Sequence, residues 1–512
     1  MRSPRDEASQ ERRMAESALI RFSKKIIRKI ESLRISPVVL ALYLTFLISL
    51  REILEQLFFE KSYSRYQFMH HFFFFTFVFM AGILIIRFFS RGQVIQTTLI
   101  AASGFFLILL PPLIDRLIFI RRVPYEYILP REFLKNFLTL FLFTPKAGKG
   151  IIFEICGMLG LASFYVWIKT RSLGRSFLAG FFLYFLGAFS ATPRLFAPFP
   201  SITNILFRQS RHIIYFMLYF FLSLLVGLRL LSKINKALPV AILKELASPR
   251  SLHFVFMVGV GTFFNKSLHF FSFPDCLYVL LSVILLLILW LGTVLINNVY
   301  DLDIDRISNP ARPLVEGKVR PVTYLHLSFI LFLLSFLISL LLGIFLSFLT
   351  LIIILSALAY SVPPIRLRDR LLSTSFIGWG SCLAFFIGSL NRTPIADLSF
   401  DRKLLTVAAV IFTALSLGPL VKDLKDFQGD LRYGVKNFFT VYGLEKGKKI
   451  IVVFLALSLV TPLALFHNLM DIIFFSLLSI IISLLFYHKE TLYISYAGYG
   501  SAFAYCIFRF LN

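Results

Sequence analysis

The sequence predicts an all-α integral membrane protein, with a nine-helix bundle in its second half preceded by about six further spanning helices. Three observations predict it. Of 512 residues, 58% are hydrophobic and only 16% are charged, and the mean hydropathy is +0.81; soluble domains are about 45–50% apolar and about 25% charged. The apolar residues gather into runs near the ~20 residues that a helix needs to cross hydrocarbon. The net charge of +26, from 53 Lys and Arg against 27 Asp and Glu, lies mostly between those runs. That is the pattern of topology anchors rather than of a nucleic-acid surface. Composition therefore excludes soluble globular, disordered and nucleic-acid-binding classes.

Taken in order, residues 1–36 read as a basic amphipathic arm, and its first 16 residues lack the short apolar core of a secretory signal. Leu19, Phe22, Ile26, Ile27, Ile30 and Leu33 recur at helical spacing, while Arg21, Lys24, Lys25, Arg28 and Lys29 fill the other face. Such a helix suits an anionic membrane surface. Residues 37–231 form a multi-span module with spans near 37–58, 68–88, 94–120, 150–168, 176–193 and 211–231. Arg51, Glu52 and Glu55 interrupt the end of the first, and an Arg51–Glu55 pair at i, i+4 is expected at the membrane interface. His70 and His71 open an aromatic span; interfacial anchoring is the first reading and a proton-relay or ligand role the second. Asp115 stands beside Arg116 near a membrane edge, and the segment 132–145 is too short to span. The Gly-rich basic turn from Thr144 to Gly150 could approach an anionic head group through backbone amides, but it lacks the full phosphate-loop spacing, which disfavours that role. The positive-inside rule is poorly obeyed in this module, because six spans leave the basic stretch from Arg121 to Lys149 on the outer side.

Residues 232–250, with Pro239 and Pro249, read as a linker. Residues 251–512 then carry nine spans, near 251–271, 276–299, 324–345, 347–361, 373–390, 404–421, 449–466, 470–487 and 491–511. Loops after the even-numbered spans are basic, which places them in the cytoplasm. Cys156, Cys276, Cys382 and Cys506 show no CxxC or Cys/His spacing and read as buried small hydrophobes.

Acidic residues are scarce, so their clusters are informative. Asn297, Asp301 and Asp305 are spaced i, i+4, i+8, within about 80° of one another on a helix. Asp423, Asp426 and Asp430, at i, i+3, i+7, form a second stripe after the sixth span of this half. Carboxylates at membrane depth are costly unless they face a cavity and meet cations. Oxygen ligands of this kind suit Mg²⁺, which usually keeps phosphate oxygens in its shell. Two such stripes can clamp a diphosphate, with Arg312, Lys318, Arg366 and Lys422 as neutralising cations. Metal-bound diphosphate is a good leaving group, and an aromatic cavity would shield the allylic cation it leaves behind.

These residues resemble the motifs of the UbiA superfamily of intramembrane prenyltransferases over about residues 247–512. Asn297 to Asp305 resembles its N-D-x-x-D-x-x-x-D motif, and Asn309 to Leu314 with Gly317 its N-x-x-R-P-L…G continuation. Tyr360 to Leu367 is similar to the Y-S-x-P-P-x-R-L-K loop, and Lys422 to Asp430 to the K-D-x-x-D-x-x-G-D motif; Gly434, Lys436 and the run from Tyr442 to Lys449 are also similar. The sequence departs by carrying Asn298 where Asp is usual, Asn437 where Thr is common and Arg368 where Lys is frequent.

The resemblance implies Mg²⁺-dependent transfer of a polyprenyl group from its diphosphate to a lipophilic or aromatic acceptor, at a site on the cytoplasmic side of the cell membrane. It implies that Asn297, Asp301 and Asp305 hold one Mg²⁺–diphosphate edge and Asp423, Asp426 and Asp430 the other. Asp301, Asp305, Asp426 and Asp430 are then the catalytic carboxylates. Arg312 and Lys422 would contact phosphate oxygens, Asn298 would offer its carbonyl oxygen, and Tyr360 and Arg366 would line the pocket mouth. Asn298 and the extra module leave one alternative of another class, a lipid carrier that binds head groups without chemistry.

Overall fold

The computed structural model describes residues 18, 20–59, 64–120, 127, 129–141, 148–195, 205–265, 273–390 and 402–511. Among them there are helices and turns and no strand, so the all-α membrane class holds. The chain forms two compact units, residues 1–239 and 240–512.

The first unit comprises α1 (20–31), α2 (Pro37–Phe59), α3 (Arg65–Ser90), α4 (Val94–Gly104), α5 (Leu110–Leu117), α6 (Phe133–Leu138), α7 (Gly148–Thr170), α8 (Leu173–Ser190) and α9 (Ile205–Ile234). All six expected spans are helices of crossing length. The third is a composite in which a 3₁₀ turn, Phe105–Leu109, joins α4 to α5 ahead of Pro111 and Pro112. On α2, Val39, Leu42, Phe46, Ile53 and Leu57 are exposed, a lipid-facing stripe at helical spacing. The expected helical arm is seen in α1. Its Ile27 packs beside Ile86, Tyr165 and Val166, and its Glu31 pairs with Lys169 at 2.9 Å. Phe22 and Ile26 remain exposed beside the basic residues.

Three features of this unit were not legible in the sequence. The Arg51–Glu55 pair forms, at 2.6 Å, but it is buried inside the unit, where Arg51 also reaches Glu154 at 3.1 Å and the carbonyl of Ile108. His70 is fully buried, with His212 of α9 as a polar partner. The amide of Gly150 is taken by Asp115 at 2.8 Å, so it does not await a head group; residues 144–147 of that turn lie outside the described residues. Among the cysteines, Cys382 is buried but Cys156 and Cys276 are exposed on apolar helices.

The second unit contains α11 (Pro249–Asn265), α12 (Phe273–Tyr300), α13 (Leu302–Ser308), α14 (Pro321–Leu342), α15 (Ile344–Ser361), α16 (Ser375–Ser389), α17 (Arg402–Leu417), α18 (Asp423–Arg432), α19 (Phe438–Tyr442), α20 (Leu444–Val460), α21 (Leu469–Lys489) and α22 (Leu492–Leu511). The division between the units falls inside α10 (Ala237–Leu246), so the segment 232–250 is largely helical. Helices stand at all nine expected span positions; α13, α18 and α19 are short additions at their ends. Leu289, Ile296, Phe332 and Ala357 form one core between α12, α14 and α15, and Ile451, Leu455, Phe475 and Phe486 form another between α20 and α21. Lipid is as apolar as these side chains, so close backbone approach and polar links hold such helices together. Ser328 of α14 donates to the Gly292 carbonyl of α12 at 2.6 Å, and His253 of α11 meets Ser381 of α16 at 2.8 Å.

The tightest crossing is between α11 and α16. A Cβ on Gly261 would lie 2.0 Å from the Phe385 carbonyl oxygen, and one on Gly388 would lie 2.0 Å from that of Val258. Backbone has no flexible end to yield, so the helices would have to separate. Gly388→Ala is expected to destabilise the protein by roughly 1–3 kcal/mol. Thermal unfolding of the detergent-solubilised chain should show a lower melting temperature, whereas Gly259→Ala, with nothing within 4 Å of its Cβ position, should leave it near the parent value.

Candidate functional site

The first acidic stripe lies where α12 ends and α13 begins. Asp301 leaves helical geometry, with φ −94° and ψ 4°. The i to i+4 backbone bonds nevertheless continue from Asn297 through Asp301 and Asp305 to Asn309, at 2.9, 2.8 and 2.8 Å. The stripe expected from the spacing therefore survives the break. Asn297 donates to Asp301 at 2.7 Å and accepts from Ser361 at 3.2 Å. Asp305 accepts from Asn309 at 3.0 Å and pairs with Arg312. Asp303, off the stripe, is exposed and pairs with Arg306 at 2.8 Å.

The second stripe follows a 3₁₀ turn, Gly418–Lys422, that continues α17 into α18. Asp423 and Asp430 are buried and Asp426 is half-buried. Gly429 decides how near this stripe comes to the first. A Cβ there would lie 2.5 Å from Ser308 Oγ and 3.1 Å from the Ile304 carbonyl oxygen, both on α13. A bare backbone is what allows α18 to rest on α13.

Cations join the stripes. Arg368 sits 2.9 Å from Asp301 and 3.6 Å from Asp430, one guanidinium between the two motifs. Arg366 lies 3.5 Å from Asp301 and 3.0 Å from Asp369. Lys422 pairs with Asp423 at 3.0 Å, and Lys425 donates to Asn309 at 3.0 Å across the α13–α18 contact. Burial pushes the Asp301 carboxyl above the usual carboxylate range, against the pull of Arg368. Burial does the same to Asp305 against Arg312. Both carboxyls thus hold their negative charge reluctantly in these surroundings.

A cavity of about 240 Å³ opens from this cluster. Asn297, Asn298, Asp301, Asp305, Arg312, Tyr360, Lys422 and Asp426 all line it, so eight residues singled out from sequence converge there. Its remaining wall includes Phe254, Trp290, Phe376 and Trp379, giving one polar end and one aromatic flank. Asp423, Asp430 and Arg366 stand behind the lining as partners of residues that face it. Lys318 does not converge; its side chain is exposed and pairs with Glu316 at 2.7 Å.

Other site residues escaped the sequence reading. Arg368 was visible only as a Lys-like position in a basic loop. Arg250, from the expected linker, lines the cavity, and Glu245 accepts from Asn298 at 3.4 Å; neither belongs to a motif. Asn298 also accepts from Arg312 at 2.9 Å, so the amide orients a guanidinium. Asn437 donates to Asp430 at 2.9 Å.

The oxygens that remain fit a divalent cation. Asp423 Oδ2, Asp426 Oδ1 and Asp430 Oδ1 are buried and accept no hydrogen bond among the described residues. No three acidic or imidazole groups among those residues converge as a ready-made cage. Carboxylate oxygens such as those of Asp423 and Asp426 suit a hard divalent cation, which usually takes further ligands from substrate oxygens.

The Arg368 bridge generates a stability prediction. Arg368→Gln leaves two buried carboxylates without their shared cation and should cost about 3 kcal/mol. Arg306→Gln, in a pair whose side chains are 61% and 62% exposed, should cost under about 1 kcal/mol. Chemical or thermal unfolding in detergent without divalent cations compares the two.

A model of the UbiA prenyltransferase family matches residues 254–511. The chain is 29% identical over 218 residues to digeranylgeranylglyceryl phosphate synthase of Sulfurisphaera tokodaii, covering 41% of this chain and 77% of that protein. It is 30% identical over 223 residues to the synthase of the same name from Saccharolobus solfataricus, covering 42% and 76%. Among solved structures it is similar to a UbiA homologue from Archaeoglobus fulgidus bound to DMAPP and Mg²⁺, at 19% identity and a TM-score of 0.39, over 51% of this chain and 98% of that one. The family model spans half of the sequence and includes every motif that meets at the cavity, so the chain belongs to the UbiA prenyltransferase family and is a multi-pass membrane prenyltransferase.

Proposed function

We propose that the second unit transfers a polyprenyl group from its diphosphate to a lipophilic or aromatic acceptor, with Mg²⁺ holding the donor. The observation that supports this reading is the pair of buried carboxylate oxygens, Asp423 Oδ2 and Asp426 Oδ1, that accept no hydrogen bond among the described residues, on the helix whose Asp426 lines the same cavity as Asn297, Asp301 and Asp305. When bound, Mg²⁺ neutralises diphosphate charge and improves it as a leaving group. Asn297, Asp301 and Asp305 would hold it on one side, and Asp423, Asp426 and Asp430 on the other.

The protein's own groups do the rest. Lys422 and Arg312 offer N–H donors to phosphate oxygens, and Asn298 keeps Arg312 in place at 2.9 Å. Arg368 neutralises both stripes and can share its donors with a phosphate. The bond between the prenyl carbon and the diphosphate oxygen breaks, leaving an allylic cation against the faces of Tyr360, Trp290 and Trp379. Those rings exclude water and stabilise positive charge. The acceptor then attacks that carbon and gives up its own proton to the released diphosphate or to water. Basic loops beside the motifs support a cytoplasmic location for this end, where diphosphate would leave. Relatives named for a glyceryl phosphate product and for an acylphloroglucinol substrate support an acceptor that is lipophilic or aromatic.

The test is release of diphosphate from labelled geranylgeranyl diphosphate by the purified chain with Mg²⁺ and membrane extract. Asp301→Ala and Asp426→Ala should each lower the rate by at least about 100-fold, and chelation of divalent ions should abolish it. Donor binding without turnover, across donors and acceptors, would instead identify a carrier. Undiminished release from both variants would remove the acidic stripes from the mechanism.

A further inference from the structure

The first unit buries a second polar cluster that the prenyl-transfer reading leaves unused. From α2 come Arg51, Glu52 and Glu55, which are 3%, 1% and 4% exposed. From α3 come His70, fully buried, and His71. Glu154 comes from α7, His212 from α9, and Tyr127 from the connection after α5. Ionisable side chains within membrane-spanning helices are expensive, and where they gather they mark ion or proton pathways.

The connectivity is specific. His212 Nδ1 and His70 Nδ1 are 3.0 Å apart, and His70 Nε2 is 2.8 Å from the Tyr127 hydroxyl. The His70 and His212 rings stack with centroids 4.9 Å apart. One of the two facing nitrogens must carry the proton and the other must accept it. If His70 Nδ1–H donates to His212, then His70 Nε2 accepts from Tyr127. If His212 donates to His70, then His70 donates to Tyr127. Both hydrogen bonds reverse together, and each reversal moves one proton along the chain. Among the described residues, further charged and titratable groups pack around this chain, Tyr219 of α9 near Tyr127 included. His71 is 4.1 Å from the His70 ring and 3.0 Å from Glu52; Arg51 links Glu55 and Glu154; the Tyr215 ring is 5.9 Å away on α9. Tyr66, one turn before His70 on α3, is also buried.

We infer that the first unit carries a proton-exchange site, the relay Tyr127–His70–His212, with the His71–Glu52 pair beside it and the proton itself as its ligand. In the forward direction the Tyr127 hydroxyl proton passes to His70 Nε2, while the His70 Nδ1 proton passes to His212 Nδ1. His212 then gives up its Nε2 proton to a water or buffer base, and the Tyr127 phenolate takes a proton from a hydronium ion or buffer acid. One proton enters and one leaves, and no redox partner or other co-reactant is consumed. The relay stands independently of the prenyl-transfer reading, because its residues all belong to the other unit.

The test is ¹⁵N solid-state spectroscopy of the full chain, labelled at histidine and reconstituted in liposomes, from pH 5 to pH 9. The chain has eight histidines, so His70→Gln and His212→Gln assign the pair. Resonances of His70 and His212 averaged between the protonated and unprotonated positions are expected in the parent chain. Tyr127→Phe, which keeps the ring and removes the hydroxyl, should replace them by separate fixed-tautomer signals. Thermal unfolding of Tyr127→Phe near the parent value would exclude a general loss of packing. Fixed tautomers in the parent chain throughout the range, or averaging that persists unchanged in Tyr127→Phe, would overturn the relay. If either glutamine variant fails to fold, its Asn counterpart makes the same assignment.

Discussion

At Gly429, α18 lies against α13 with no side chain between its backbone and Ile304 or Ser308. The candidate site depends on that contact. Each stripe alone is a row of carboxylates at the end of a helix, a common and inert arrangement. Brought together, they share Arg368, stand beside one cavity, and leave buried oxygens of Asp423 and Asp426 for a ligand. The same close approach explains why a glycine sits inside this charge-rich run.

Charge balance follows from that geometry. Burial disfavours ionised Asp301 and Asp305, and guanidinium groups offset the cost without removing it. The arginines come from sequence-distant loops, Arg312 after α13 and Arg366 and Arg368 after α15. A site assembled this way is held together electrostatically before any ligand arrives, yet keeps part of its negative potential unspent on the α18 side. An incoming cation with an anionic substrate would exchange with existing ion pairs instead of entering bare space.

The first unit solves a related problem differently. Its buried charges are matched within the helix bundle: Arg51 with Glu55 and Glu154, Glu52 with His71. Removing charged side chains from water is tolerated only with such partners. Three imidazoles and a phenol add groups that can each donate or accept, so this cluster can rearrange its protons without moving its helices.

Sequence alone determined the elements and the chemistry of the motifs. Apolar runs near span length specified the helices at all nine positions of the second unit and all six of the first, because crossing hydrocarbon imposes both length and composition. Scarcity of acids made Asn297, Asp301, Asp305, Asp423, Asp426 and Asp430 conspicuous, and their spacing put each set on one face. Tertiary structure alone decided which cations serve them. Lys318 turned away to Glu316, while Arg368, Arg250 and Glu245 came in from loops and a linker whose directions no local pattern encodes. It also drew His70, His71 and the Arg51–Glu55 pair inward, since periodicity reports that a residue is polar but not which neighbouring helix will offer it a partner. Position along a helix is a local property, whereas pairing across helices is set by packing at glycines such as Gly429 and Gly388, where backbones meet.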